Sequence, residues 1–243
     1  MASKTVSDLD STLVTYLPFL SEIRRRFLFV FSIFLVAWVI GFIYYQPIVL
    51  FVLNLYDLSG VNIAFTSPFQ FLNLALNSGT AVGALVVVPL VIFQLTLFLK
   101  PALHPKEYKL LMSLVPFSLV LFVMGFSFGS WMMKFVIKVF SQQTSGLEIQ
   151  NLWDINQFFS QIFLTSVLLG LSFQFPLVLT FLIRMGILKQ EALVKFRLPA
   201  HCILLGVAIF MPPTDVFSLA LMFLPLAIIY ELTLFFNRKQ KGN

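Results

Sequence analysis

Apolar residues in this chain run in long unbroken blocks, without the 3.6- or 2-residue stripes of a half-buried helix or strand. Charged residues mark the block edges. Residues 27–56 carry no charge, and Phe27–Tyr45 within them predicts a first bilayer span. Residues 58–99 are also uncharged, but Ser59-Gly60, Asn62, Thr66-Ser67-Pro68 and the polar positions from Asn73 to Thr80 divide them. Those positions predict an external loop with interfacial pieces, and a second span then runs from about Ser78 to Leu99. A third covers about Lys106–Met133 and a fourth about Ile155–Ile183. Each of these three exceeds the roughly 20 residues that a span requires.

Two further apolar stretches, Leu198–Met211 and Val216–Phe236, flank Pro212-Pro213-Thr214-Asp215, a turn through which neither helix can continue. The first reaches only roughly 21 Å at about 1.5 Å per residue, against a hydrocarbon core of about 30 Å. A short pair implies local bilayer thinning or a shallow hairpin, and either returns the chain to the side it left.

Composition agrees with this pattern. Of 243 residues 59% are hydrophobic and 11% charged, with 30 phenylalanines and a mean hydropathy of +0.96. An ordinary soluble domain is roughly 25% charged, so there is too little charge here for a polar shell. The net charge of +6 does not point to nucleic acid, because the basic residues lie scattered between apolar blocks. With six spans, all sixteen lysines and arginines except Lys134 and Lys138 fall on one side. The positive-inside rule puts that side, and both termini, in the cytoplasm. The polar start ending in Arg24-Arg25-Arg26, followed by a block too long for a signal core, predicts a retained first helix. The single cysteine, Cys202, excludes an intramolecular disulfide and is read as a packing residue. The expected fold is an all-α polytopic membrane protein of six transmembrane helices, the last two short. It forms one domain over 1–243: a cytoplasmic segment 1–26, a bundle 27–236 and a cytoplasmic tail 237–243.

Several ordered motifs are more specific. Phe19-Leu20-Ser21-Glu22-Ile23-Arg24-Arg25-Arg26-Phe27 is followed by Ser67-Pro68-Phe69, then Phe93-Gln94, Phe98-Leu99-Lys100-Pro101-Ala102-Leu103 and Glu107. Further on come Phe173-Gln174-Phe175-Pro176, Asp215-Val216-Phe217-Ser218 and Glu231. In this order, over residues 19–236, the chain resembles the TatC family, the signal-peptide receptor subunit of the twin-arginine protein translocase. Phe19 stands where the family usually has histidine, Gln174 where many members have glutamate, and Pro212-Pro213-Thr214-Asp215 permutes the commoner Thr-Pro-Pro-Asp.

The resemblance implies a receptor for twin-arginine signal peptides of folded cargo proteins, in a homo- or hetero-oligomer with single-span TatA- and TatB-like subunits, transporting cargo on the proton gradient in the cytoplasmic (inner) membrane. It implies a signal-peptide site of Glu22, Glu107, Arg24, Phe98 and Leu103. Gln94, Gln174, Asp215 and Glu231 are candidate partner-contact or intramembrane polar positions.

Each carboxylate also has an ordinary reading. Glu22 can pair with Arg25 or Arg26 along its helix, a contact worth about 0.3–0.5 kcal/mol. Glu107, two residues after Pro105, complements a helix dipole by about 0.3–1 kcal/mol. It can equally offer a fork acceptor to guanidinium, which lysine does not match. Asp215 can cap the last helix. Gln94 and Gln174 can bond between helices, or form a polar concave face towards a partner helix. Glu231 reaches Arg238 or Lys239 only through a kink and suits a partner-binding site. His104 reads as a helix-start residue beside Pro105. No metal-ligand spacing, phosphate-cradling loop, nucleophile–base set or internal repeat stands out, so no cofactor is expected. A small-solute secondary transporter, which would need repeats and a midplane site, is the alternative. An intramembrane enzyme would need a constellation not seen in the sequence.

Overall fold

The computed structural model describes residues 2–56, 62–64, 67–145, 152–188 and 190–238. Helix α1 (Ala2–Ile43) carries the first span from Leu20 and is followed by a short apolar helix α2 (Tyr45–Tyr56). Strand β1 (Asn62–Ala64) precedes α3 (Gln70–Leu99), and a 3₁₀ turn at Lys100–Ala102 leads into α4 (Pro105–Ser145). Strand β2 (Leu152–Asp154) pairs with β1 in parallel, Ile63 opposite Trp153. Helices α5 (Ile155–Ser172) and α6 (Phe175–Arg184) form one span broken at Phe173-Gln174. Helices α7 (Gln190–Lys195), α8 (Arg197–Ile209) and α9 (Val216–Arg238) complete the chain. Among the described residues five helical segments are long and apolar enough to cross a membrane, and α8 is the short sixth. Its 13 residues rise only about 20 Å.

Glycine sets the helix spacing. A Cβ at Gly125 of α4 would lie 2.8 Å from the Leu169 carbonyl oxygen and 2.9 Å from the Gly170 Cα of α5. One turn on, a Cβ at Gly129 would sit 2.7 Å from the Ser166 Cα. The α1–α3 crossing uses the same device: a Cβ at Gly41 would meet the Ser78 carbonyl at 2.8 Å and the Gly79 Cα at 2.9 Å. Lipid is as apolar as a leucine side chain, so helices in a bilayer associate through such small-residue contacts and through polar bonds. Around the α4–α5 crossing lies a core of Met132, Leu169, Phe173, Met211, Met222 and Tyr230, and the buried Phe122 ring lies against Gly170.

The polar stretch from Asn73 to Thr80 is not a loop. It is the first part of α3, in which Asn77 and Ser78 mark packing contacts. Asn77 donates to the Asn156 side chain at 2.6 Å, Thr80 returns its hydroxyl to the Leu76 carbonyl at 2.9 Å, and Ser78 is buried against α1. Gln70 donates to Asp154, whose other oxygen caps α5 through Asn156 and Gln157. The third span continues past Met133 to Gln142, in a helix that ends at Ser145, and carries Lys134, whose Nζ donates to the Leu55 carbonyl at 2.8 Å. Behind it Tyr56 donates to the Ser130 carbonyl at 2.9 Å; burial pushes its phenol up to about 12, opposed by its Ser130 hydroxyl contact. Cys202 is exposed on the outer side of α8, so it is not a packing residue. Ser59, Gly60, Thr66, Lys189, Lys239 and Lys241 lie outside the described residues, as does the side chain of Phe19.

The two kinds of glycine separate in a heat scan. Gly125→Leu is expected to lower the melting midpoint in detergent, since overpacking typically costs about 1–3 kcal/mol. Gly206→Ala, with nothing within 4 Å of its Cβ position on α8, is expected to be neutral or to gain up to about 1 kcal/mol. Equal losses in both would contradict the close crossing.

Candidate functional site

The cytoplasmic end of the bundle collects the predicted carboxylates. Glu22 and Arg26 stand one helical turn apart on α1, four residues in sequence. Arg26 donates from Nη2 at 2.6 Å and from Nε at 3.1 Å, both to Oε1 of Glu22. Its Nη1 continues to α3, donating to the Gln94 side chain at 3.0 Å and the Gln94 carbonyl at 3.3 Å. Gln94 is thus an interhelical tie whose partner is a charge. Of the two helix-surface pairs open to Glu22, the structure takes Arg26. Among the described residues the other oxygen of Glu22 has no partner. Arg24 points elsewhere: with Leu20, Ser21, Arg25 and Leu28 it borders an open hollow on α1.

Glu107 occupies the third position of α4. Its Oε2 accepts the His104 backbone N–H at 2.8 Å, closing the first turn as a capping box does. Its Oε1 faces no donor among the described residues. Both ordinary readings are therefore realised, and each uses only one oxygen of its carboxylate.

Leu103 ends the 3₁₀ turn at the mouth of a groove of about 750 Å³ between α3, α4 and the α5–α6 span. Phe98, half-buried near the end of α3, is not among its lining residues. At the deep end Gln174 sits in the α5–α6 break. It accepts from the Ser118 hydroxyl at 2.7 Å and donates to the Ser118 carbonyl at 3.0 Å. Its amide thus bonds between helices, one of the two readings posed for it, and also borders the groove.

The remaining two candidates lie apart from this end of the site. Asp215 accepts the Ser218 backbone N–H at 2.8 Å and caps α9. Glu231 does not turn towards the tail. It faces α8, 3.4 Å from Arg197 and 3.8 Å from His201, because those groups stand one turn apart on the facing helix and no kink is needed. Sequence reasoning missed Ser118 and His201 as partners. A lone hydroxyl in an apolar helix can bond its own preceding turn, as Thr96 does to Ile92, so Ser118 carries no signal of its own.

The comparisons with known proteins fall on the same family. The sequence profile described as Sec-independent protein translocase protein (TatC) matches residues 18–225. The chain is similar to the Sec-independent protein translocase protein TatCy of Bacillus subtilis, at 27% identity over 93% of this chain and 89% of that protein. The TatC protein of Halalkalibacterium halodurans is 30% identical over 94% of this chain and 90% of its own length. Two crystal structures of the twin arginine translocase receptor TatC superpose on the fold, each at 25% identity. One has a TM-score of 0.74 over 89% of this chain and 96% of that one. The other, crystallised in DDM, has a TM-score of 0.80 over 90% and 98%.

The Gln174–Ser118 bond is measurable on its own. In a double-mutant cycle of Gln174→Leu and Ser118→Ala, detergent unfolding is expected to give a coupling of about 0.6–1.7 kcal/mol, the range of interhelical bonds in membranes. Strictly additive losses would mean that the two side chains do not depend on each other.

Proposed function

Because the chain belongs to the TatC family, its profile matching residues 18–225, we propose that it is the receptor subunit of a twin-arginine translocase. It is a multi-pass protein of the cytoplasmic membrane and a transport component, not an enzyme. Twin-arginine signal peptides of folded cargo bind at its cytoplasmic edge, at Glu22 and Glu107, with Arg24, Phe98 and Leu103 beside them. Single-span TatA- and TatB-like subunits join it in the membrane, and Gln94, Gln174, Asp215 and Glu231 are the polar positions available to such partners. The whole of 1–243 acts as one domain. Transport then draws on the proton gradient, with the passage formed together with those partners.

One observation carries this reading. Two carboxylates at the cytoplasmic edge each have one oxygen held by an internal donor and the other open. The internal donor fixes the rotamer, so little side-chain freedom remains to be lost on binding. The open oxygen can then accept a charge-assisted N–H bond from guanidinium. A guanidinium presents several donors in a planar fork and can satisfy an acceptor and its neighbours together, whereas an ammonium is a compact, strongly hydrated point charge. Arginine selectivity follows from that difference. Arg24 and Arg25 beside the carboxylates disfavour a basic peptide that does not reach them.

Glu22→Gln and Glu107→Gln are each expected to weaken a twin-arginine peptide by roughly 10- to 150-fold, the equivalent of about 1.5–3 kcal/mol for one charge-assisted bond. A twin-lysine peptide is expected to bind poorly to the unaltered protein and to lose less on either substitution. If Glu107 serves only the start of α4, its substitution shifts melting by under about 1 kcal/mol and affects both peptides alike. Normal arginine-peptide binding by both folded variants would remove these carboxylates from the receptor site.

A further inference from the structure

The groove between α3, α4 and α6 has a shape and polarity that peptide recognition does not explain. On α3 it is lined only from Val88 to Leu99, a rise of about 17 Å, or about half the roughly 30 Å hydrocarbon core. That half is the cytoplasmic one, since α3 ends at the Lys100 turn. Its deep end is closed by the Gln174–Ser118 pair, and Thr96 returns its hydroxyl to Ile92. The polar side chains in the wall are therefore already bonded. An extended peptide backbone laid along such a wall would find few partners for its N–H and C=O groups. A membrane-spanning helix would overrun the closed end. Hydrocarbon of one leaflet's depth fits both the length and the dryness. The groove also opens sideways to the bilayer, past Leu95 and Val178, each more than half exposed.

The mouth is basic. Lys100 follows Leu99 of the wall and Arg184 precedes Met185, while Lys106 and Lys109 stand on the first turns of α4. Glu107 is the acid beside them, with one oxygen given to the His104 N–H. Lys100 lies over the Tyr108 ring at 5.6 Å, and neither it nor Arg184 is in an ion pair among the described residues. We propose that this groove seats one anionic phospholipid of the cytoplasmic leaflet, an acyl chain along the apolar wall and the headgroup phosphate between Lys100 and Arg184. Basic residues at this depth favour anionic over zwitterionic headgroups. The site does not use Glu22 and, although Leu103 borders both, it stands independently of the receptor reading.

The test uses the full chain in nanodiscs of phosphatidylglycerol or phosphatidylcholine. Lipid retained after transfer to detergent is counted by native mass spectrometry, and the melting midpoint is followed in each lipid. One retained phosphatidylglycerol per chain and a higher midpoint in that lipid are expected. Lys100→Gln and Arg184→Gln are expected to reduce the preference roughly fivefold each. Leu95→Trp, at an exposed position on the groove wall, is expected to abolish retention while the protein still folds. Equal retention of both lipids would overturn the proposal. So would retention that survives Leu95→Trp, which means a contact with the headgroup outside the groove. Equal stabilisation by free glycerol phosphate would show that no acyl chain is held. Loss of a chain-to-chain dimer on Leu95→Trp, with lipid retention unchanged, would assign the groove to a second copy instead.

Discussion

The close approach of α4 to α5 at Gly125, Gly129, Ser166 and Gly170 is the constraint on which the rest of the molecule hangs. In lipid, no hydrophobic force pushes one apolar helix against another. Contact has to come from backbones that lie near enough for dispersion and for weak polar bonds. Bringing α4 and α5 this close puts Met132, Leu169 and Phe173 into one core and fixes where the α5–α6 break can fall. The break in turn delivers Gln174 to Ser118, and the divergence of α3, α4 and α6 beyond that point leaves the cytoplasmic groove open. The Gly41–Gly79 crossing repeats the device between α1 and α3, and it aligns Arg26 with Gln94.

From this frame the cytoplasmic edge follows. Arg26 is tied at once to its own helix through Glu22 and to α3 through Gln94, so the first basic cluster is positioned by the bundle and not by its own helix alone. Glu107 is set by the turn that joins α3 to α4, where the His104 N–H would otherwise be an orphan of the helix start. Structural and receptor roles are usually opposed as alternatives. Here a carboxylate with two acceptor oxygens can serve both, one inward and one outward. On the other side of the bundle, Glu231 is held by Arg197 and His201, which joins the short α8 to α9 at the end where both are anchored.

Much of this was legible in the sequence. The uncharged blocks gave the span order, and Pro212 to Asp215 marked the turn before α9, with Asp215 as its cap. The errors have a common cause. Asn77 and Ser78 looked like loop because polarity in an apolar run has two meanings, exposure to water or contact with a neighbouring helix. Only the packing partner, here Asn156 or the α1 glycine, distinguishes them. Cys202 failed in the same way, and the pairing of Glu231 with α8 stayed hidden, since an all-apolar surround hides which face of a helix meets lipid and which meets protein. Short α2 and the β1–β2 pair carry too few residues for a periodic signal. Glu22 and Glu107 were legible as acids among the basic residues that mark the span edges. Their partners were not, because those depend on contacts between helices distant in sequence.

The most direct measure of the central claim is a double-mutant cycle across the interface, scored by peptide affinity. Glu22→Gln and Glu107→Gln are each combined with single Arg→Lys replacements in a twin-arginine peptide. If each carboxylate receives one particular arginine, each shows a coupling of about 1.5 kcal/mol or more with one replacement and near zero with the other. Couplings near zero for all four pairs, in variants that melt like the unaltered protein, would contradict the account.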